Sequence, residues 1–151
     1  MKKLLLLFFI VTISGCSTGY VVYDEPILEG PFKVVKVIDG DTLDLNDSVR
    51  VRLSGINTPE KGECYYKEAK ERLKELTLNK TVFVERDIDN KDRFGRELRY
   101  VILGGVDINA QLVEEGYARV FDKYKDNTKK YDGFKVLESR PKEIGLGVWG
   151  C

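Results

Sequence analysis

The chain has no histidine. That removes Ser-His-Asp triads, Cys-His nucleophiles, histidine zinc sites and histidine-based nuclease chemistry together. Cysteine is scarce: Cys16, Cys64 and Cys151 show no CxxC spacing, which argues against a structural zinc or a dithiol redox motif. There is no net charge, 25 basic residues facing 25 acidic ones, so the chain does not coat a polyanion through bulk positive charge and any anion site must be local. Hydrolytic chemistry in such a chain has to run on carboxylates, arginines, tyrosines and a bound metal. What remains is ordinary for a globular protein: 151 residues, 33% charged and 42% hydrophobic, enough for one domain with a sizeable core.

The most informative stretch is Val49–Glu60, VRVRLSGINTPE. Its first half alternates apolar and basic residues, the period-two pattern of a strand with one buried face. Val49, Val51 and Leu53 are expected to face a core, with Arg50 and Arg52 on the other side. Ser54-Gly55 breaks the pattern and Ile56 restores an apolar anchor. Asn57-Thr58-Pro59-Glu60 follows as a rigid turn, because proline fixes its own φ and biases the preceding residue toward an extended shape. A guanidinium and a carboxylate are thereby held on a strand end and the tight turn after it.

Residues 1–15 read as an export signal: Lys2 and Lys3 precede an apolar run, Leu4–Ile13, that is short for a membrane span. Ile13-Ser14-Gly15-Cys16 has the form of a bacterial lipobox, which makes Cys16 the lipidated N-terminus of a protein anchored to a membrane of the cell envelope. Removal of residues 1–15 leaves 25 acidic residues against two fewer basic ones, a charge near −2. Residues 16–31 read as a tether, being polar and carrying Gly and Pro. The domain is expected over 32–151.

Within it, Phe32–Ile38, Thr42–Leu45 and Val49–Leu53 read as a three-stranded meander, with Gly40 allowing positive φ in the first turn. Glu63–Leu78 reads as an amphipathic helix burying Ala69, Leu73, Leu76 and a tyrosine at 65 or 66. Thr81–Asp87 and Leu98–Leu103 are further strands, joined by a charged connection over Ile88–Arg96. Asn109–Glu115 is a short helix stopped by Gly116. Ala118–Phe121 reads as extended. Asp132–Ile144 is a third helix with Phe134, Val136 and Leu137 apolar, and Pro141 is expected to end or kink it. Five short strands with a helix after the third predict a mainly β (α+β) chain, a five-stranded OB-fold barrel with three helices.

Read together, Val37-Ile38-Asp39-Gly40-Asp41-Thr42, Arg52-Leu53 leading to Asn57-Thr58-Pro59-Glu60, Asp92-Arg93-Phe94-Gly95-Arg96, Asn109 with Leu112-Val113-Glu114-Glu115-Gly116, and Gly147-Val148-Trp149 resemble the staphylococcal nuclease (thermonuclease) family, here as an exported lipoprotein member. The resemblance runs from about Val34 to Trp149. It implies an OB-fold barrel with three helices and calcium-dependent hydrolysis of DNA or RNA. By position it makes Asp41, Asn57 (side-chain oxygen) and Thr58 (backbone carbonyl) the Ca²⁺ ligands, Glu60 the general base or orienter of the attacking water, and Arg52 and Arg96 the groups that grip the phosphate. These residue types suit the task, since calcium takes hard oxygen ligands and guanidinium binds phosphate bidentately.

The chain departs from the family pattern in several places. Asn57 stands where the type enzyme has an aspartate, one ligand charge fewer. Phe94 replaces a tyrosine that touches the nucleotide phosphate, keeping a stacking face without a hydroxyl. Tyr124 stands where a base-contacting tyrosine is expected. The connection from Glu60 to the first helix is shortened, and Pro141 is unexpected in the last helix. In an exported protein, Cys64 and Cys151 can pair across a long loop, the alternative being two unrelated cysteines. The function expected is a calcium-dependent phosphodiesterase, a monomer at the envelope with DNA or RNA as substrate. The competing readings are a non-catalytic OB-fold module that binds single strands or a protein partner, and a purely structural lipoprotein.

Overall fold

The computed structural model describes residues 26–151. The export signal at 1–15, Cys16 and most of the tether lie outside the described residues. Eight strands alternate with three helices: β1 (Leu28–Val37), β2 (Thr42–Leu45), β3 (Arg50–Leu53), β4 (Ile56–Asn57), α1 (Tyr66–Thr77), β5 (Thr81–Lys91), β6 (Glu97–Leu103), β7 (Val106–Asp107), α2 (Ile108–Glu114), β8 (Arg119–Val120) and α3 (Tyr131–Glu143). Single 3₁₀ turns occupy Asn46–Ser48 and Gly147–Trp149, and Asp122–Asn127 holds two such turns with a kink at Tyr124.

The sheet runs β3-β2-β1-β5-β6-β7, and a second pairing, β3 with β6, closes it on itself. That closure is parallel, with Val51, Arg52 and Leu53 facing Glu97, Leu98 and Arg99, whereas the other ladders are antiparallel. The result is a five-stranded barrel of β1, β2, β3, β5 and β6, as the patterning predicts. Alternate residues fill it: Val34, Leu43, Leu45, Val51, Leu53, Val82, Val84 and Val101 are essentially inaccessible. α1 covers one opening with Ala69, Leu73 and Thr77, and α2 and α3 add Ile108, Leu112, Val113 and Phe134 to the same core.

Some expectations need correction. β1 begins at Leu28, so the sheet starts before the expected boundary at residue 32. β5 continues to Lys91, which makes Ile88–Lys91 strand and leaves a turn only at 92–96. Val49 precedes β3 and is half-buried. Gly40 does not take positive φ. Val136 on α3 is 72% exposed, and the inward position belongs to Glu138, whose carboxylate accepts the Val120 N–H at 2.7 Å. Pro141 is buried in the last turn of α3, and the helix stops two residues later.

The joint between barrel and helices is a buried amide. Asn109, fully inaccessible at the start of α2, accepts from Val101 N–H at 3.1 Å and donates to the Ser54 and Arg99 carbonyls at 3.0 and 3.1 Å. It ties β6, the turn after β3 and α2 together. Asn109→Ala takes the partner from the Val101 N–H and the Ser54 carbonyl, each worth roughly 1–3 kcal/mol, while the Arg99 carbonyl keeps the Ser54 N–H at 2.9 Å. Urea denaturation should show a loss of at least about 2 kcal/mol, above the cost of an average surface substitution.

Candidate active site

One end of the barrel opens into a cleft of about 590 Å³. It is walled by the β1–β2 turn, the segment from β3 through Glu60, the β5–β6 hairpin and the turn at Asp122–Asn127. The eight residues singled out by the sequence for catalysis, metal and substrate (Asp41, Arg52, Asn57, Thr58, Glu60, Phe94, Arg96 and Tyr124) all line it.

Asp41 is the cleft's buried acid, 6% exposed. Its Oδ2 accepts from the Thr58 N–H and hydroxyl, both at 2.9 Å, and lies 3.1 Å from the Arg52 guanidinium; Oδ1 accepts from the Thr42 hydroxyl at 3.1 Å. Burial pushes its carboxyl above the ordinary aspartate range, with Arg52 pulling the other way and Asp39 adding like charge. Asp39 is a lining residue that sequence reading missed: its carboxylate accepts the Asp41 N–H at 3.1 Å. The signal was present in Asp39-Gly40-Asp41, two carboxylates in one tight turn, but a turn explains those residues equally well.

Arg52 does not point to bulk solvent from β3, as strict alternation implies; it is 9% exposed. Its guanidinium donates to the Leu53 and Ile56 carbonyls and to Asn57 Oδ1, each at 3.0 Å, besides pairing with Asp41. The alternation fails because a barrel end has a third environment, neither core nor surface, into which a strand's last outward residue can fold. Arg96 comes from the opposite wall. Its Nε donates to Asp92 at 2.7 Å, and a further N–H reaches the Thr42 hydroxyl at 3.4 Å. Burial alone would raise the Asp92 carboxyl, yet the hydrogen bonds from Arg96 and from the Phe94 N–H outweigh it and hold it below the usual range. Asp92, like Asp39, stands in the quoted motifs without a catalytic role; a turn pairing with Arg96 is what the sequence allows, and the structure shows that pair aiming Arg96.

Glu60 is exposed at the lip, and its backbone N–H donates to Glu63 Oε2 at 2.7 Å. Two aromatic rings stand on the rim. Phe94 is 68% exposed, with the Arg93 and Arg96 guanidiniums 4.7 and 5.5 Å from its centroid; Tyr124 is 49% exposed, with the Lys123 ammonium at 5.4 Å. Exposed rings flanked by cations suit stacking on unpaired bases. Asp89 and Lys91 also reach the cleft, through the part of β5 that reads as loop in the sequence. Outside the cleft proper, Cys64 and Cys151 are joined in a disulfide.

The donor set is that of a hard cation: a buried carboxylate, the Asn57 amide oxygen and Thr58, whose N–H and hydroxyl are committed to Asp41 while its carbonyl is left. Among the described residues no group of three or more carboxylates or thiolates gathers around a single point. A cation here therefore rests on one buried carboxylate and neutral oxygens, with Asp39 close behind. The fit is nonetheless chemically sound: Asp41 shares its guanidinium with Asn57 and two carbonyls, and is short of positive charge.

Residues 50–151 match the family model described as staphylococcal nuclease homologue; Asp41 lies ahead of that match. The thermonuclease of Staphylococcus hyicus is 33% identical over 130 residues, covering 80% of this chain and 76% of its own. Endonuclease YncB of Bacillus subtilis (strain 168) is 36% identical over 126 residues, 76% of this chain and 59% of that protein. The micrococcal nuclease of Shigella flexneri is 36% identical over 127 residues, 76% of this chain and 71% of its own.

The turn that presents Asp41 has no room for a side chain at Gly40, where a Cβ would stand 2.7–2.9 Å from Thr58 Oγ1, Cβ and Cγ2. Glycine is required there by close approach, not by φ. Gly40→Ala is expected to push Thr58 off Asp41, breaking two hydrogen bonds worth about 1 kcal/mol each or more. Thermal unfolding should report a clear drop in Tm, whereas Gly133→Ala, with open space around it and no positive φ, should not lower it.

Proposed function

Because the chain belongs to the staphylococcal nuclease family, we propose that it is a calcium-dependent nuclease of the cell envelope, hydrolysing phosphodiester bonds of DNA or RNA. The observation that carries the reading is the convergence of Arg52, Arg96 and Glu60 on one cleft around the buried carboxylate of Asp41. The residues come from three separate parts of the barrel, and a solvated surface has no reason to gather them.

The chemistry follows from what each side chain is doing. Both guanidiniums rest on acceptors inside the cleft, Arg52 on Asp41 and Asn57, Arg96 on Asp92. A diester entering the cleft offers paired acceptor oxygens that match the guanidinium fork, and the two arginines turn N–H groups to its non-bridging oxygens. There they stabilise the extra negative charge of the five-coordinate state, a contribution that is large because the donors are already in place. The Glu60 carboxylate carries no hydrogen bond or ion pair among the described residues, which leaves it available to take the proton of the attacking water or to orient that water. Asp41, Asn57 and the Thr58 carbonyl would hold calcium, which when bound polarises the phosphate and lowers the pKa of water. Phe94 and Tyr124 offer ring faces to bases on either side, a sequence-tolerant contact that favours unpaired strands.

The envelope reading rests on Leu4–Ile13 and the Ile13–Cys16 motif, which lie outside the described residues. The proposed anchor is lipid on Cys16; among the described residues no helix is long and apolar enough to cross a membrane.

Denatured DNA incubated with the protein should be degraded in calcium and spared in excess chelator. Arg52→Ala and Arg96→Ala should each lose at least roughly a hundredfold in turnover, on the scale of a lost oxyanion donor. Glu60→Gln should bind DNA as the wild type does and lose most of its rate. Binding without cleavage under any metal condition would replace this reading with a non-catalytic module. Cleavage that is indifferent to chelator would remove the metal.

A further inference from the structure

Glu60 sits on a loop that the rest of the domain supports weakly. The loop spans 58–65, between β4 and α1. Its ends are fixed, Thr58 by two hydrogen bonds to Asp41, and Tyr65 by stacking on Tyr117 with ring centroids 5.6 Å apart. The middle is not. Residues 60–64 are all exposed. Their hydrogen bonds close on the loop itself: Glu60 N–H to Glu63 Oε2 at 2.7 Å, Glu63 N–H to the Glu60 carbonyl at 2.9 Å, and Tyr66 N–H to the Glu63 carbonyl at 3.4 Å. A surface pocket of about 360 Å³ is lined by Pro59, Glu63 and Cys64 from the loop and by Arg119, Val148 and Cys151 across from it, so the loop is not packed against the tail over that face.

The disulfide crosses that gap. Cys64 lies four residues after Glu60, and its partner Cys151 ends a tail that is firmly seated. Val148 is 2% exposed; its N–H donates to the Gly116 carbonyl at 2.9 Å, and its carbonyl accepts from Arg119 at 2.6 Å. The Arg119 guanidinium lies 4.7 Å from the Trp149 ring centroid. Gly147 is pressed so closely on Gly116 that a Cβ would stand 2.1 Å from its carbonyl oxygen. Arg119 is itself paired with Asn57 in the β4–β8 ladder. One frame therefore runs from the cleft's Asn57 through β8 and the tail, and returns through the disulfide to the Glu60 loop.

We infer that the Cys64–Cys151 disulfide is a positioning device for Glu60: the bond holds a weakly packed loop in register with the arginines on the barrel, and its loss slows turnover before it weakens substrate binding. The inference rests on Glu60 handling the attacking water, as proposed above. A displacement of about 1 Å at a catalytic group is enough for losses of tenfold to a hundredfold.

The test is a cycle of variants on calcium-dependent cleavage of single-stranded DNA, at a temperature where circular dichroism shows each protein folded. Cys64→Ser/Cys151→Ser should lose at least about tenfold in kcat with KM and chelator-state DNA binding nearly unchanged. The same loss should follow when dithiothreitol supplies two electrons and two protons to convert the wild-type disulfide into two thiols. In a Glu60→Gln background the cysteine changes should cost almost nothing further. Inserting two glycines between Gly150 and Cys151 keeps the cross-link but slackens it; kcat should fall while Tm stays close to wild type, a readout that survives even if the serine variant does not fold. Wild-type kcat in the slackened protein, losses that add fully to Glu60→Gln, or equal falls in binding and kcat would each overturn the inference. Absence of cleavage by the oxidised wild type would instead overturn the nuclease chemistry on which it rests.

Discussion

A single guanidinium, buried at the end of β3, holds the cleft's architecture. Arg52 donates to two backbone carbonyls and one amide and pairs with a carboxylate, drawing on the β1–β2 turn, its own strand and β4. A cation with this little solvent is tolerated because its donors are met by acceptors in a fork geometry. Breaking a buried pair from one side costs about 3–5 kcal/mol, although the pair itself contributes little net stability, so Asp41 and Arg52 constrain each other strongly without being a staple of the fold. A function that needs a preorganised cation beside a buried carboxylate is well served by such an arrangement.

Barrel closure supplies the second arm. The parallel β3–β6 pairing sets Arg52 opposite Leu98, two residues after Arg96, and so delivers the β5–β6 hairpin to the same end of the barrel. Asp92 then turns the hairpin back on itself, accepting from the backbone of Phe94 and Arg96 and from the Arg96 side chain. One aspartate thereby fixes the position of a cation and an exposed ring together. The short β4–β8 ladder does the same for Asn57, and the turn that presents Asp41 closes against Thr58 through the space kept open at Gly40. Asp41, Asn57 and Arg96 thus each have a structural partner chosen by local geometry, and the partners, Thr58, Arg119 and Asp92, are polar residues that look unremarkable in isolation.

The barrel was legible in the sequence because its signals are periodic: β2 matches its expected bounds, and the alternation of Val51 and Leu53 points them inward as it should. The failures have a common physical origin. Arg52 alternates outward from the core, but at a barrel mouth outward means into a cleft. Ile88–Lys91 reads as loop because its residues are polar, yet this length of β5 projects beyond the core and needs no apolar face, only a partner such as the Lys91–Glu97 register. Val136 reads as core by its chemistry, and its place on α3 gives the inward direction to Glu138 instead. The cleft-facing roles of Asp39 and Asp92 were illegible for a different reason, since a carboxylate in a turn has an adequate local explanation and only the closed fold shows what it faces.

The charge of the cleft bears on what the proposed metal would do there. Five acidic side chains (Asp39, Asp41, Glu60, Asp89 and Asp92) and five basic ones (Arg52, Lys91, Arg93, Arg96 and Lys123) line it, so its formal charge is zero, as is that of the whole chain. A polyanion approaching this surface gains little from long-range attraction, and the two inner arginines are already held by carboxylates. A neutral cleft of this kind binds phosphate more tightly when the acids that hold the arginines are compensated from elsewhere. The proposed divalent ion at Asp41 makes up that deficit, turning a balanced cleft into one with two positive charges in excess where the diester must sit. On this reasoning the proposed metal and the arginines would not be separate contributions: the acids that hold Arg52 and Arg96 ready in the empty cleft also set the deficit of positive charge that an added cation would fill.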